Sequence, residues 1–218
     1  MSFRPTETNE CFKLELLWAW PTTNSQMLEE LAKCKKSIFI FLIETLCNRR
    51  KLEGLKTKLG YEGLFTVDPV GWSRGLALFW KANSNVRLLK FSKNCIDVEV
   101  KYQDMGKWRM TGFYGFPESS RRRESWDLLC TLTTVSSLPW VCIRDFNDLL
   151  AAHEKRGKNE HPNWKLQGFK QVVVDSGLSD IGMEGYQFTW ERSKGTENWV
   201  EERLDIVLAI DPWSHRFK

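Results

Sequence analysis

The chain has 218 residues, 42% of them hydrophobic and 28% charged, and this composition excludes a chain that is disordered throughout. The 32 basic and 28 acidic residues give a formal net charge of +4, which is compatible with a polyanionic substrate but too small to establish one. The length is enough for one sizeable domain with its own core.

Cysteine, histidine and hydropathy patterns exclude several classes of protein. The six cysteines have no C-x-x-C spacing, and the three histidines do not fall near them in a zinc-like pattern. The first ten residues lack the apolar core of a signal peptide, and the most apolar run, SIFIFLIETL, is too short to cross a bilayer. We therefore expect an intracellular protein with reduced cysteines, no membrane contact and no obligate protein partner.

In the first half of the chain, strand-like runs alternate with helix-like segments. Residues 14–20 and 38–44 are predicted strands, and residues 24–37 are a predicted helix. A second helix is predicted to begin after Asn48, as its N-cap, and to end at Gly60. Four further strands are predicted from the segments GLFTV, GLALFW, IDVEV and WRMTGFYGF.

The second half of the chain continues the mixed pattern. A helix is predicted to begin at Ser119 or Ser120, followed by a strand over 140–143, a polar loop, and a helix over about 163–175 that ends near Gly177. The tail holds two more strand-like segments, YQFTW and ERLDIVLAI. Strand–helix alternation followed by consecutive strands predicts a mixed α/β sandwich rather than a pure parallel sheet.

Several predicted strands end in polar residues that the apolar pattern before them does not predict. Catalytic groups gather where the strands of α/β folds run out, because the sheet is rigid and its ends are open to solvent. Two or three carboxylates at such an end suit Mg²⁺, while a tyrosine hydroxyl and an amide can contact phosphate oxygens. The residues in question are Glu44, Tyr114, Asp145, Asn147 and Asp205.

Each of these residues also has an ordinary structural interpretation. Glu44 could be the first solvated residue after its strand, and Tyr114 an interface aromatic. Asp-x-Asn is good turn chemistry, because both side chains can bond to nearby backbone groups. Asp205 could be the cross-strand partner of Arg203 or of a lysine. Composition and spacing alone leave both interpretations open.

Six motifs in order, FLIET, GLALFW, TGFYGFP, WVCIRDFND, YQFTW and RLDIVLA, resemble the endonuclease/exonuclease/phosphatase superfamily. More closely, the series is similar to the apurinic-type endonuclease domain of plant LINE-type (non-LTR) retrotransposons, from about Leu14 to Trp213. The resemblance implies a single domain over residues 14–218, after a disordered or irregular stretch over 1–13. It implies a DNase-like four-layer α/β/β/α fold, in which two β-sheets are flanked by helices.

The resemblance also implies an activity: hydrolysis of phosphodiesters in duplex DNA with one Mg²⁺ or Mn²⁺ ion, and a nuclear location. Glu44 matches the family's metal-binding glutamate. Tyr114 matches the tyrosine that contacts the scissile phosphate, and Asn147 the asparagine that holds it.

Three further residues carry implied roles. Asp145 matches the aspartate that orients or deprotonates the attacking water, and Asp205 matches the aspartate that orients the catalytic histidine. Thr189 belongs to the family's FTW element, on a strand that lines the DNA groove. The resemblance therefore assigns one metal ligand, four catalytic residues and two substrate contacts, Thr189 and the catalytic Asn147.

Departures from the family pattern predict impaired catalysis. The first strand, which in the family ends in an asparagine near the metal, has Pro21 in this region. The chain ends at Lys218, before the family's SDH motif and one expected strand, and we interpret His215 as a surface residue. Asp205 is then expected to have no histidine to orient. Arg144 also replaces the glycine that precedes the aspartate in the family.

Two other functions stay open. The first is a catalytically dead remnant that binds nucleic acid through two basic clusters, which could equally be a solvated helix start and a polar loop. The second is a phosphoesterase that acts on a small-molecule or lipid phosphate. The basic clusters are Arg121, Arg122 and Arg123 with Lys155, Arg156 and Lys158.

Overall fold

The computed structural model describes residues 37–45, 47–69, 75–82, 84–102, 106–182 and 185–217. The stretch over 1–13, the strand predicted over 14–20 and nearly all of the helix predicted over 24–37 lie outside this part. The chain divides into two compact units. The first runs to Gly112 and includes Phe217 and Lys218, and the second runs from Phe113 to Arg216. A single domain over 14–218 stays a prediction.

The first unit contains a three-stranded antiparallel sheet in the order β1-β3-β2. Its strands are β1 (Phe39–Thr45), β2 (Gly63–Val67) and β3 (Gly75–Trp80), and all three agree with the sequence prediction. Strand β1 is buried along nearly its whole length, which explains why its sequence is a continuous apolar run without the alternation of a half-exposed strand.

Helix α1 (Arg49–Leu59) connects β1 to β2. Asn48 caps its N-terminus by accepting a hydrogen bond from the backbone N–H of Lys51 at 3.0 Å. Gly60 ends it in the left-handed conformation, at a φ of 72°. Both ends were predicted and are confirmed. The buried face of the helix packs against the first sheet through Leu52, Leu55 and Leu59.

Three further strands follow as neighbours in chain order: β4 (Ser84–Ser92), β5 (Cys95–Tyr102) and β6 (Lys107–Phe113). Strands β5 and β6 were predicted, whereas β4 was not. The side chains of β4 are largely exposed and include charged residues, so no apolar run marks it. The segment is a strand because it pairs antiparallel with β5. Its strand conformation therefore depends on a neighbouring strand and not on its own sequence pattern.

A buried ion pair ties β5 to β6. The Arg109 guanidinium donates to both carboxylate oxygens of Asp97, at 2.8 and 3.0 Å, and the Thr111 hydroxyl donates to the same carboxylate at 2.7 Å. All three side chains are fully buried. Removing one partner of such a pair leaves an uncompensated charge in the interior, which is far more costly than breaking an exposed pair.

The second unit contains two groups of strands. Strand β12 (Asp205–Ala209) lies between β7 (Trp140–Asp145) and β9 (Ser179–Asp180), antiparallel to both. Strand β11 (Val200–Glu202) lies between β10 (Trp190–Arg192) and β8 (Lys155–Arg156), also antiparallel. The segments WVCI and RLDIVLAI, which the sequence analysis singled out, therefore lie on adjacent strands.

Three helices follow β6. A 3₁₀ turn (Ser119–Arg121) leads into α2 (Arg122–Thr133), so the helix predicted from Ser119 or Ser120 begins as a tighter turn. Helix α3 (Asn163–Asp175) has the predicted bounds, and Gly177 follows it at a φ of 65°. Helix α4 (Asp211–Phe217) follows β12 directly.

The predicted α/β class is confirmed, because the described residues form several sheets together with four α-helices. Within the described part of the chain, every helix is too short or too polar to span a bilayer.

Replacing Asp97 by Asn is expected to lower the free energy of unfolding by about 3–5 kcal/mol, because the Arg109 guanidinium would stay buried without its anion. Urea denaturation followed by tryptophan fluorescence measures this loss. Glu99→Gln is the matched control on the same strand: it removes ion pairs with Arg87 and Lys107, both more than half exposed, and should cost far less. Equal losses in the two variants would contradict the prediction.

Candidate active site

The Asp-x-Asn segment forms a tight turn at the end of β7. The Asp145 carboxylate accepts a hydrogen bond from the backbone N–H of Asn147 at 2.7 Å, which is the turn chemistry that the spacing predicted. Asn147 has a φ of 53°, in the left-handed region that asparagine tolerates better than most residues. Both side chains are buried. The turn therefore presents a carboxylate and an amide next to each other.

Gly115 joins this turn to the segment that follows β6. Its backbone N–H donates to the Asp145 carbonyl at 2.7 Å, and its carbonyl accepts from the Asn147 side-chain amide at 2.9 Å. A Cβ on Gly115 would lie 2.3 Å from the carbonyl oxygen of Phe146, so only glycine fits this approach. Tyr114, next to Gly115, is thereby held beside Asp145 and Asn147.

The aromatic ring of Phe146 anchors the turn to the hydrophobic core. It is 2% exposed and stacks on Phe113, with ring centroids 5.0 Å apart, and it also contacts Phe169 of α3 at 5.5 Å. Its backbone N–H donates to the Leu204 carbonyl at 3.1 Å. The side chain points into the core while its neighbours carry the polar groups, as the alternation of an extended chain requires.

Asp205 lies directly opposite Asp145 in the β7–β12 pair. Directly opposed residues of antiparallel strands carry their Cβ atoms about 4.5–5.5 Å apart on one face of the sheet. Asp145 is 8% exposed and Asp205 is 4% exposed. Two carboxylates thus converge on one face, an arrangement that a sheet does not adopt for stability alone, since like charges placed opposite each other are destabilising.

Thr189 holds the backbone at the start of β12. Its hydroxyl oxygen accepts hydrogen bonds from the backbone N–H groups of Leu204 at 2.9 Å and of Asp205 at 3.0 Å. The oxygen therefore positions the chain that carries Asp205. The resemblance predicted Thr189 as a substrate contact, and the geometry gives it this additional structural task.

Arg203 forms a buried junction beside the site that the sequence prediction missed. Its guanidinium bonds to Glu154 at 2.6 Å and to Asp180 at 2.7 and 3.0 Å, rather than to Asp205. Burial acts to lower the pKa of Arg203, but the hydrogen bond and charge of Asp180 and of Glu154 raise it above its usual value. The arginine of the RLD motif was the available signal, and its partners could not be read from the sequence.

Glu154 extends this junction to the loop after β7. It is 3% exposed, and its carboxylate accepts the backbone N–H groups of Leu150 at 2.6 Å and Ala151 at 3.1 Å. The carbonyl of Glu154 also accepts the Arg203 backbone N–H at 2.9 Å. The loop that follows the Asp145–Asn147 turn is therefore fastened to the residue two positions before Asp205.

Glu44, the predicted metal ligand, belongs to the first unit. It lies near the end of β1 at a φ of 55°, unusual for a residue other than glycine, where the pairing of β1 with β3 becomes irregular between Leu42 and Thr45. The side chain is half-buried. Such bulges at strand ends redirect a side chain and are common beside active sites. This local geometry fits a ligand role but also fits a strand that ends there.

The described residues supply no complete metal cage. No group of three or more His, Cys, Asp or Glu side chains in this part of the chain is arranged to hold an ion. Mg²⁺ needs fewer protein ligands than a caged ion, because it keeps several waters and takes one or two carboxylates together with substrate phosphates. Among the described residues, a Mg²⁺ site would therefore have to rest on one or two carboxylates and not on a preformed cluster.

His215 lies on the exposed face of α4, in agreement with its interpretation as a surface residue. Its ring Nδ1 is 2.8 Å from the carbonyl oxygen of Asp211, one helical turn earlier. The imidazole is thereby committed to its own helix.

A cavity of about 260 Å³ adjoins Thr189. Its lining is mainly aromatic and charged, and the Tyr186 hydroxyl donates a hydrogen bond to the Glu201 carboxylate. This bond raises the pKa of Tyr186 above its usual value. The lining residues are Tyr186, Phe188, Thr189, Trp190, Glu191, Lys194 and Glu201.

Three of the six basic residues proposed as a nucleic-acid surface are paired with acids. Arg121 bonds to Glu124 at 2.6 and 2.8 Å, Lys155 to Glu202 at 2.5 Å, and Arg156 approaches Glu201 at 3.4 Å. Arg123 and Lys158 are exposed. The pairings favour the structural interpretation for the three paired residues.

Gly115→Ala is expected to lower the free energy of unfolding by about 1–3 kcal/mol, because the new methyl group would overlap the Phe146 carbonyl and force the turn to move. Gly54→Ala is the matched control: Gly54 lies inside α1 with no atom within 4 Å of a Cβ, and alanine there should stabilise the helix by up to about 1 kcal/mol. Urea unfolding of both variants checks the opposite signs.

Thr189→Val is expected to cost about 1–3 kcal/mol, because two buried backbone N–H groups lose their acceptor while the side-chain shape is kept. Thr189→Ser keeps the oxygen and should retain most of the stability. Chemical denaturation of the two variants separates the hydroxyl from the methyl group. If Val were tolerated as well as Ser, the hydroxyl would not be holding the start of β12.

No family model and no curated protein matches the sequence, whereas solved structures match its fold. An AP endonuclease from Archaeoglobus fulgidus superposes with a TM-score of 0.62 at 18% identity, over 88% of this chain and 84% of that one. An endonuclease/exonuclease/phosphatase family protein from Bacteroides thetaiotaomicron gives 0.59 at 16% identity, over 89% and 81%.

A third similar structure is the endonuclease domain of TRAS1, a telomere-specific non-LTR retrotransposon. Its TM-score is 0.58 at 11% identity, and the match covers 90% of this chain and 85% of that one. At these identities the likeness concerns the fold. The predicted DNase-like α/β fold is therefore confirmed, and the chain has the fold of the endonuclease/exonuclease/phosphatase superfamily.

Proposed function

We propose that the chain is a divalent-metal-dependent phosphodiester hydrolase domain, a DNA endonuclease of retrotransposon origin whose catalysis is impaired. The observation that carries the proposal is the junction at the end of β7. There Gly115 binds the Asp145–Asn147 turn through two hydrogen bonds and leaves no room for a side chain of its own. A carboxylate, an amide and the adjacent Tyr114 are thereby grouped as phosphodiester hydrolysis requires.

Each side chain has a definite task in this proposal. The Asp145 carboxylate orients the attacking water and accepts its proton. One N–H of the Asn147 amide is used by Gly115, and the rest of the amide is directed to a phosphate oxygen. The Tyr114 hydroxyl donates a hydrogen bond to another phosphate oxygen. Fixed hydrogen-bond donors then stabilise the negative charge that builds on the phosphoryl group during the reaction.

Asp205 and Glu44 also carry roles that the resemblance implies. Asp205, opposite Asp145, is the residue that in the similar family orients a histidine, and Thr189 fixes its backbone. Glu44 is the proposed ligand of the single Mg²⁺ or Mn²⁺ ion, which when bound would neutralise charge on the phosphate.

Impaired catalysis is supported by two departures from the family pattern, Pro21 in the region of the first predicted strand and Arg144 before Asp145. Proline offers no side-chain donor or acceptor where the family has an asparagine. Groups that act as a unit lose most of their joint effect when one member is changed. A site altered in this way is expected to hydrolyse slowly.

Retrotransposon origin is supported by the six ordered motifs and by the fold shared with the TRAS1 endonuclease domain. The assignment to a plant element comes from the motifs alone. The six motifs are also the reason for proposing duplex DNA as the substrate. A nuclear location is proposed because that is where such a substrate lies.

The test is nicking of supercoiled plasmid by the purified chain in Mg²⁺, in Mn²⁺ and in EDTA. We expect slow, metal-dependent nicking that Asp145→Asn reduces by about 100-fold or more, because general acid–base groups typically contribute that much. Glu44→Gln should raise the metal concentration that nicking requires, because a neutral amide binds Mg²⁺ more weakly than a carboxylate does. Asp127→Asn, at an exposed position of α2, is the matched control and should leave nicking unchanged.

Two outcomes would contradict the proposal. Nicking that persists unchanged in Asp145→Asn would mean that another group or a contaminant cleaves the plasmid. A folded chain, by circular dichroism, that binds DNA in a salt-dependent manner without nicking would favour the catalytically dead remnant. Turnover of small phosphoesters in place of DNA would favour a small-molecule phosphoesterase.

A further inference from the structure

Lys165, in the first turn of α3, has a largely buried side chain whose ammonium group makes no ion pair with a described residue. The side chain is 8% exposed. The ammonium nitrogen lies 5.7 Å from the centroid of the Trp164 ring. Among the described residues it makes no hydrogen bond. The nitrogen is not one of the fully buried atoms, so its donors remain available to a ligand.

Arg122, the first residue of α2, has unused donors. Its Nη2 donates to the Pro117 carbonyl at 3.1 Å. Its Nε and Nη1 are buried and have no acceptor within the part of the chain that the structure describes. A guanidinium cannot lose its proton in a protein, so its charge remains in place and its donors stay unsatisfied unless another group binds.

The starts of α2 and α3 lie against each other. Trp126 of α2 meets Trp164 of α3 edge to face, with centroids 6.3 Å apart, and a Cβ on Gly168 would lie 2.5 Å from the Trp126 ring. Burial lowers the pKa of Lys165, and the neighbouring charge of Arg122 lowers it further. Arg122 lies one helical turn before Trp126, and Lys165 one turn before Gly168, so the contact between Trp126 and Gly168 places the two cations near each other.

The acids near these cations are largely committed elsewhere. Glu202 pairs with Lys155. Asp148 is fully buried, and one of its oxygens accepts the Trp126 indole N–H at 3.0 Å while the other lies 3.4 Å from His161. The charges of Asp148 and Glu202 raise the pKa of Lys165, but burial and the neighbouring cations outweigh them.

We propose that Arg122 and Lys165 form an anion site that takes a phosphoryl group. The unsatisfied guanidinium donors and the ammonium group supply directional donors and two positive charges, which is the chemistry that phosphate oxygens require. The Trp164 side chain beside Lys165 is 53% exposed, so the site is open to solvent on that side. An exposed indole next to phosphate-binding cations also suits a nucleic-acid strand, whose bases stack on aromatic rings.

The phosphoryl group has two possible sources, the backbone of a nucleic-acid strand and free phosphate. The backbone is the source that follows if the proposed nuclease function is correct, since Asp148 immediately follows the Asp145–Asn147 turn. Free phosphate would occupy the same donors without any strand. The anion site itself depends on neither catalysis nor a metal ion.

The first experiment measures inorganic phosphate binding to the full chain by tryptophan fluorescence and by the thermal midpoint, against chloride at matched ionic strength. Phosphate should raise the midpoint of the wild type. Lys165→Met and Arg122→Gln should each weaken phosphate binding by about tenfold or more, as expected for a lost charge-assisted hydrogen bond. Lys170→Met, at an exposed position of the same helix, should behave as the wild type.

The second arm uses a fluorescent DNA duplex and single strand in EDTA, with the Asp145→Asn variant, so that cleavage plays no part. A tenfold loss of DNA affinity in Lys165→Met identifies the backbone as the source, whether or not the plasmid is nicked. Unchanged DNA affinity with weakened phosphate binding identifies free phosphate and overturns the backbone assignment.

Absence of phosphate binding in the wild type would overturn the anion site. Lys165→Met would then be expected only to raise the thermal midpoint, because an apolar side chain replaces a largely buried lysine without an ion pair. Arg122→Gln tests the same site independently, so the experiment remains decisive if the Lys165 variant misfolds. Circular dichroism of each variant checks that it is folded.

Discussion

The close approach of Gly115 to the Asp145–Asn147 turn is the constraint on which the candidate site depends. Two hydrogen bonds hold these segments together, and the contact is so tight that a single methyl group would overlap the Phe146 carbonyl. Phe146 then fixes the turn to the core through its stacked ring and to β12 through Leu204. Residues distant in the sequence thereby become one rigid group, and preorganisation of this kind is what a catalytic constellation requires.

Structural and functional interpretations of this turn are not alternatives. The Asp145 side chain makes the local hydrogen bond of an Asx turn, and the same bond places the Asn147 amide beside the carboxylate. What the turn chemistry does not explain is Asp205, a second buried carboxylate directly across the strand pair. Stability alone disfavours like charges in that position. Proteins tolerate the destabilisation from two opposed carboxylates where the carboxylates take part in chemistry. Buried polar networks often mark functional sites of this kind.

The same unit shows two ways of handling buried charge. Arg203 is fully compensated by Glu154 and Asp180, and it ties the loop after β7 to the start of β12. Arg122 and Lys165 are not compensated to the same degree, which is the basis for the proposed phosphoryl site. A superfamily fold hosts many activities, so function has to be argued from such sites and not from the fold. Here the fold is similar to that of solved nucleases.

The sequence by itself determined the local elements and the residues that could carry chemistry. Asn48 and Gly60 mark the ends of α1 because capping is a short-range property, and the apolar run of β7 predicts a buried strand ending at Asp145. Only the tertiary structure decided that β4 is a strand, that the Thr189 hydroxyl binds the backbone of Asp205, and that Arg203 pairs with Glu154. Thr189 and Asp205 are 16 positions apart, and Arg203 and Glu154 are 49 positions apart. Local periodicity carries no information about partners at that separation, since the partners meet only when the chain is packed.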